Sequence, residues 1–256
     1  RQRTDGRRRL DRNLRSKIVD NHALPLVLIS GTLCNARLWQ PLLHRLNLSD
    51  VLCITLTDAT SAADASRNLL RELPPRFLLA GFSLGAIVAL QMVADAPQRI
   101  AGLALLSVNP LADAPENAAS RREAVRVARQ QGVMSWLSAS LWPKYVAPTR
   151  TQDAALHDLI CQMAGECGPD TLATQTEIAI TRRDNRGALP ALACPIVVIN
   201  GLHDPICTPS HHQRVIESAP QATLVTLASA GHFTLLEAPD EVAHPLRHWI
   251  QECLDA

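Results

Sequence analysis

Ser83, Asp204 and His232 are the residues of this chain whose types and settings could together do chemistry. Ser83 stands in Gly81-Phe82-Ser83-Leu84-Gly85, behind the apolar run Phe77-Leu78-Leu79-Ala80 and ahead of a stretch that reads as helix from Leu84 through Ala94. This is the G-x-S-x-G pattern of a sharp strand-to-helix turn, which pushes a serine hydroxyl out beyond the end of a strand. Taken alone, the pentapeptide also suits a tight turn whose serine only caps the helix. Asp204 lies in Gly201-Leu202-His203-Asp204-Pro205 and His232 in Ala230-Gly231-His232-Phe233. Alone, the first is a turn former and the second a structural Gly-His pair. Together they follow three separate predicted strands in the chain order Ser, Asp, His. A serine, a base and an acid so placed would perform acyl transfer. The hydroxyl attacks a carbonyl, the imidazole removes its proton, and the carboxylate fixes the imidazole tautomer.

Positioning such residues requires strands that end where the loops begin. Leu26 to Ser30, Val51 to Leu56, Phe77 to Ala80 and Ile100 to Val108 read as short apolar strands, as in a sheet covered on both faces. Between them, helical spacing runs over Ala36 to Leu48, over Ala62 to Leu73 (closed by Pro74-Pro75) and from Leu84 to near Ala96-Pro97. The alternation predicts βαβ units with right-handed crossovers, hence an α/β fold with a mostly parallel sheet and helices on both faces. From Leu111 to Leu189 it stops. Glu116 to Gln131, Val133 to Leu141, Thr151 to Gly165 and Asp170 to Arg183 all look helical, separated by Gly132, Pro143, Pro148 and Gly168-Pro169. Strand patterns then resume at Pro195 to Asn200 and Ala222 to Leu227, with helices at His211 to Ser218 and Glu241 to Leu254. The resumption predicts a core of residues 24–110 and 190–256, with 111–189 as a helical cap over the carboxyl edge of the sheet.

Composition narrows the function classes. A net charge of +1 gives no global field for nucleic acid, and aromatics at 3% leave few platforms for stacking bases. No apolar stretch reaches the roughly 18 to 20 residues of a membrane helix. The seven cysteines are scattered and lack C-x-x-C spacing, which points away from a disulfide framework or zinc site and toward a reducing cytoplasm. His244 and His248 have helical i, i+4 spacing but no carboxylate as in H-E-x-x-H, and His211-His212 has none either, so no metal is expected. Arg1 to Lys17 is arginine-rich, and residues 1–23 are read as a solvated basic leader rather than a nucleic-acid arm, a membrane arm or a targeting segment.

From about Leu24 onward the chain resembles the α/β-hydrolase family of small bacterial esterases and lactonases. The resemblance is carried by Gly81-Phe82-Ser83-Leu84-Gly85, by Gly201-Leu202-His203-Asp204-Pro205 and by Gly231-His232. It also marks Ile29 to Trp39 as the oxyanion loop. Members usually read His-Gly there, with a tryptophan eight residues after the glycine; Trp39 keeps that spacing and Ser30 replaces the histidine. The family histidine supports the loop rather than moving protons, so the replacement bears on loop geometry. The resemblance implies the α/β-hydrolase fold, no cofactor, and the backbone N–H groups of Thr32 and Leu84 as oxyanion donors. Removing one such donor typically raises the barrier by about 3 to 4 kcal/mol.

Some relatives place the acid after the preceding strand. Here that position offers only Asn109, which cannot carry the charge, and Asp113 deeper in the loop, so Asp204 is the better acid. His203 reads as a solvent-facing loop residue. In the cap, Met134, Trp136, Leu137, Leu141 and Trp142 either pack the helices or face the substrate, and Trp136, Leu137 and Leu141 are taken as candidate pocket wall. The expected activity is cleavage of a small carboxylic ester through an acyl-enzyme. A lactone, a thioester or a carbon–carbon bond is the alternative on the same triad, and a ligand receptor with vestigial catalysis is the rival class. A pure binder has no chemical need for a nucleophile beside a base.

Overall fold

The continuous apolar runs become central strands because both of their faces are covered. β1 (Leu26–Ile29), β3 (Phe77–Phe82), β4 (Ile100–Leu106) and β5 (Ile196–Gly201) are buried at every residue. The margins are β2 (Val51–Ile54), half-buried throughout, and β6 (Thr223–Leu227), partly exposed, as edge strands are. A computed structural model of the chain describes residues 24–256, so the reading of residues 1–23 as a leader lies outside the described residues.

The six strands pair in parallel in the order β2-β1-β3-β4-β5-β6. Successive side chains alternate between faces. Val27, Ile29, Leu79, Leu103, Leu105 and Val198 meet α2 (Ala62–Glu72), α3 (Leu84–Asp95) and α8 (Pro209–Ser218). Leu26, Leu28, Leu78, Ala80, Leu106, Val197 and Ile199 meet α1 (Gln40–Leu46) and α10 (Pro239–Asp255) on the other side. After β1 the chain passes outward to β2 and then crosses back to β3, so the strand order reverses between β1 and β3. Open parallel sheets bind ligands at the carboxyl ends of strands beside such a reversal.

Between β4 and β5 lie α4 (Asn117–Gln131), α5 (Val133–Ser140), the short α6 (Trp142–Tyr145) and α7 (Ala154–Thr181). Gly132, at φ 85°, separates α4 from α5, and Gly168, at φ 81° and ψ 173°, breaks α7 into two arms ahead of Pro169. Those two breaks fall where glycine was expected to make them. Pro143 instead opens α6, where its missing N–H leaves nothing unsatisfied. The third expected helix starts at Ala154 rather than Thr151, because the Asp153 side chain caps the Leu156 N–H.

Several strand bounds differ from expectation by one or two residues, and two of them matter to the site. β3 runs on through Gly81 to Phe82, and β4 stops at Leu106 because Ser107 turns out of the strand at φ 53°. Between the His232 segment and the expected helix from Glu241 lies α9 (Thr234–Glu237). Among the described residues no helix is long and apolar enough to cross a membrane.

Candidate active site

Ser83 joins β3 to α3 at φ 54° and ψ −113°, a conformation a non-glycine residue adopts only under constraint from its surroundings. Its N–H donates to the Leu106 carbonyl at 2.9 Å. The neighbouring glycines create the room: a side chain on Gly81 would strike the Gly85 carbonyl, and one on Gly85 would strike the carbonyl of Ile29. The Ser83 side chain makes no capping bond to α3, so the helix-cap reading of this serine does not hold.

Its hydroxyl lies 3.1 Å from His232 Nε2, while His232 Nδ1 lies 2.7 Å from Asp204 Oδ2. Both His232 and Asp204 are 3% exposed, so this contact sits out of bulk water. The other carboxylate oxygen of Asp204 accepts the Ile206 and Cys207 N–H groups at 2.8 and 3.0 Å, which fixes its plane. With Nδ1 donating to Asp204, Nε2 is left as the acceptor for the Ser83 proton.

The histidine loop is secured by polar clamps. The Ser107 hydroxyl donates to the His232 carbonyl at 2.8 Å, and the His232 and Phe233 N–H groups donate to the Tyr145 carbonyl at 3.1 Å each. Glu237, 8% exposed, accepts the Gly231 N–H at 3.0 Å and the Ala147 N–H at 2.7 Å. Burial pushes the Glu237 carboxyl above its ordinary value, against the pull of those two amides and of the Arg150 and His232 charges. Beneath Ser107, the buried His212 accepts the Val108 N–H at Nε2 (2.9 Å), with Nδ1 2.7 Å from the Thr208 carbonyl. Burial lowers its pKa to about 4, so it is a neutral structural imidazole at pH 7.

The loop after β1 lies across the reversal from Ser83. Ser30 supports the loop: its hydroxyl accepts from Trp39 Nε1 at 3.0 Å and donates to the Asn35 carbonyl at 3.2 Å. Leu33, at φ 56°, is held by Gln175 of α7. Gln175 is fully buried; its Oε1 accepts the Leu33 N–H at 2.9 Å, and its Nε2 donates to the Leu56 carbonyl at 2.9 Å. Among the described residues neither the Thr32 nor the Leu84 N–H donates to another protein group.

Ser83, Thr32 and His232 open onto a cavity of about 250 Å³. The inserted helices supply much of its wall, with Trp136, Leu141, Tyr145 and Leu172 as apolar side chains and Arg121 and Gln175 as polar ones. Trp136 and Leu141, two of the three candidate wall residues, line this cavity. Leu137 does not: it is 1% exposed inside the apolar cluster that packs the insertion. One residue along a helix turns a side chain by about 100°, so Trp136 and its neighbour cannot share a face. Met134 is 47% exposed and stands outside the wall.

The remaining candidates are placed elsewhere. Asp113 is bound by Arg121, Asn117 and Arg182 rather than by His232. His203 is exposed, His211 caps α8, and His248 pairs with Glu252. Asp204, Cys207 and His232 bring three ligand-type atoms within 4.8 Å of one another. Burial first, then the Asp204 charge, holds the Cys207 thiol well above its ordinary value, and His232 Nδ1 already faces Asp204, so the set suits hydrogen bonding rather than a cation. Sequence reasoning missed Gln175, Glu237, Ser107 and Arg121. Each acts through partners distant in sequence or through backbone groups, and none sits in a recognisable local pattern.

A family model described as the alpha/beta hydrolase family matches residues 26–244. A pimeloyl-[acyl-carrier protein] methyl ester esterase of Xanthomonas oryzae pv. oryzae is 27% identical over 251 residues, covering 91% of this chain and 97% of that protein. A putative carbamate hydrolase, RutD, of Klebsiella pneumoniae is 28% identical over 162 residues, 61% of this chain and 59% of that protein. The match therefore spans less than two thirds of that second relative's length. Among solved structures, a thermophilic esterase from Thermogutta terrifontis with malate bound superposes with a TM-score of 0.79 at 22% identity, covering 90% of each chain. The enol-lactonase from Burkholderia xenovorans LB400 gives 0.77 at 19% identity, covering 91% of this chain and 93% of that one. At such identities the likeness concerns the fold.

Proposed function

The chain belongs to the alpha/beta hydrolase family, and from that membership we propose that it is a cofactor-free serine hydrolase of small carboxylic esters. Ser83 attacks the acyl carbonyl, His232 takes the hydroxyl proton and returns it to the leaving alcohol, and Asp204 holds the imidazole and balances the charge it gains. The oxyanion is received by the N–H groups of Thr32 and Leu84, the latter also opening α3, whose positive end favours an anion. Water activated by His232 then releases the acid from Ser83. The inserted helices act as a cap over the sheet's carboxyl edge and set which ester fits.

The observation that carries this reading is the 3.1 Å approach of Ser83 Oγ to His232 Nε2, with Asp204 behind it, at the mouth of a cavity. The likeness to a methyl ester esterase supports an ester as the small-molecule substrate. All seven cysteines are unpaired, which supports work in a reducing compartment such as the cytoplasm. Ser83→Ala, assayed on p-nitrophenyl esters of increasing acyl length, is expected to lose at least about 10⁴-fold in kcat. A fluorophosphonate probe should label the wild type and not the variant. Near wild-type turnover by Ser83→Ala would remove the serine from its role.

A further inference from the structure

Arg121, on α4, reaches the same cavity as Ser83. Its Nε and one terminal nitrogen grip Asp113 at 2.7 and 2.8 Å, while its other terminal nitrogen makes no hydrogen bond among the described residues. Asp113 is not its partner alone. Arg182 approaches the same carboxylate at 3.5 Å and is otherwise tied to the backbone carbonyls of Leu111 and Ala179. The Asp113 side chain is 3% exposed and that of Arg182 7%, so two guanidinium groups share one buried carboxylate. Nearby acids do not restore the balance: Glu177 pairs with Arg122 and Asp184 with Arg186. The cluster carries one positive charge in excess. Burial lowers the Arg182 pKa, and the facing Arg121 adds to that against the pull of Asp113.

An unbalanced charge on the wall of a largely apolar cavity attracts a ligand of opposite sign. We propose that the cavity takes the half-ester of a short dicarboxylic acid, whose free carboxylate lies on Arg121 while its ester carbonyl meets Ser83. The inference rests on the serine-hydrolase reading and names its substrate class. A singly charged group matches the single excess charge, whereas a phosphate would leave its second charge uncompensated. A cavity of about 250 Å³ suits a short chain, and its Trp136, Leu141 and Leu172 side chains suit the methylene groups between the two ends.

The test compares p-nitrophenyl hydrogen glutarate with the p-nitrophenyl ester of glutaramic acid, an uncharged mimic of the same shape. Wild-type kcat/KM should favour the charged ester by about tenfold to a hundredfold, the usual worth of one charge-assisted hydrogen bond. Arg121→Gln should bring that ratio close to one, and Arg121→Lys should restore part of it. The ratio is independent of the fraction of active protein, so a partly folded variant still reads. Free glutarate should also inhibit the wild type at least about tenfold better than glutaramide, a measurement that needs no variant. A wild-type ratio near one, or a ratio unchanged in Arg121→Gln, overturns the Arg121 assignment. Should that occur while a fluorophosphonate still labels Ser83, the hydrolase reading stands. Absence of both labelling and turnover overturns that reading and this inference with it.

Discussion

The turn that carries Ser83 and the loop that carries His232 bring their reacting atoms to 3.1 Å, yet side chains share in holding only the second. At Ser83 the constraint lies in the backbone: a positive φ, a strand that ends one residue earlier, and glycines packed so closely that no side chain fits. At His232 no residue takes a positive φ; Gly231 is packed against the backbone of Val146 and Ala147 and the Tyr145 carbonyl takes two N–H groups, but side chains add to the hold, with Ser107 on the carbonyl and Glu237 on the Gly231 N–H. The first arrangement is rigid by exclusion and cannot be adjusted without rebuilding the sheet edge. The second is a set of separable hydrogen bonds, several of them reaching the inserted helices, and it can be tuned one bond at a time.

That contrast is open to breaking. Gly85→Ala drives a methyl group into the Ile29 carbonyl and should cost on the order of 3 kcal/mol or more in urea unfolding. A loss below about 1 kcal/mol would mean that the elbow is not held by close packing. Next in size is the support beneath Ser107. His212 has its pKa lowered to about 4, so its contribution is fully present above pH 6.5 and is lost as pH falls toward 4. The amount is on the order of 3 kcal/mol. Unfolding curves for wild type and His212→Gln should converge between those pH values; curves that stay parallel would remove His212 from this role. The smallest effect is expected at Glu237→Gln. The amide keeps one accepting oxygen but loses the charge that holds the Gly231 and Ala147 N–H groups. Stability should fall by about 1 to 3 kcal/mol, and kcat several-fold with KM little changed. Full stability and turnover in that variant would show that the histidine loop does not depend on its clamps.

The same contrast explains what could be read from the chain. A backbone-held feature imposes residue types on its own neighbourhood, so Gly81 and Gly85 announce the elbow, and apolar runs announce the strands that end at Ser83 and Asp204. The parallel sheet, its helices and the membership in the family follow from such local words. A clamp imposes nothing locally. Gln175 answers to Leu33, 142 residues earlier, and Glu237 to Ala147, 90 residues earlier, and both look like ordinary surface polar residues in sequence. Arg121 is one of several arginines along α4, and only the fold distinguishes it from Arg122, which pairs outward with Glu177. Trp136 and Leu137 divide for the same reason: adjacent apolar residues share a composition but not a direction.

Gln175 has one further consequence, for how such an enzyme can change. Its two hydrogen bonds stitch the loop after β1 to the segment after β2 through a residue that belongs to neither. The inserted helices are therefore not an interchangeable module. A chimera that grafts a foreign insertion onto this core, to give it a new substrate, must bring a bidentate amide at that position. Otherwise the Leu33 N–H and the Leu56 carbonyl are left buried without partners, and the loop that faces the reacting carbonyl loses its register. Diversification of this scaffold should run through Trp136, Leu141 and Arg121, and stop short of Gln175.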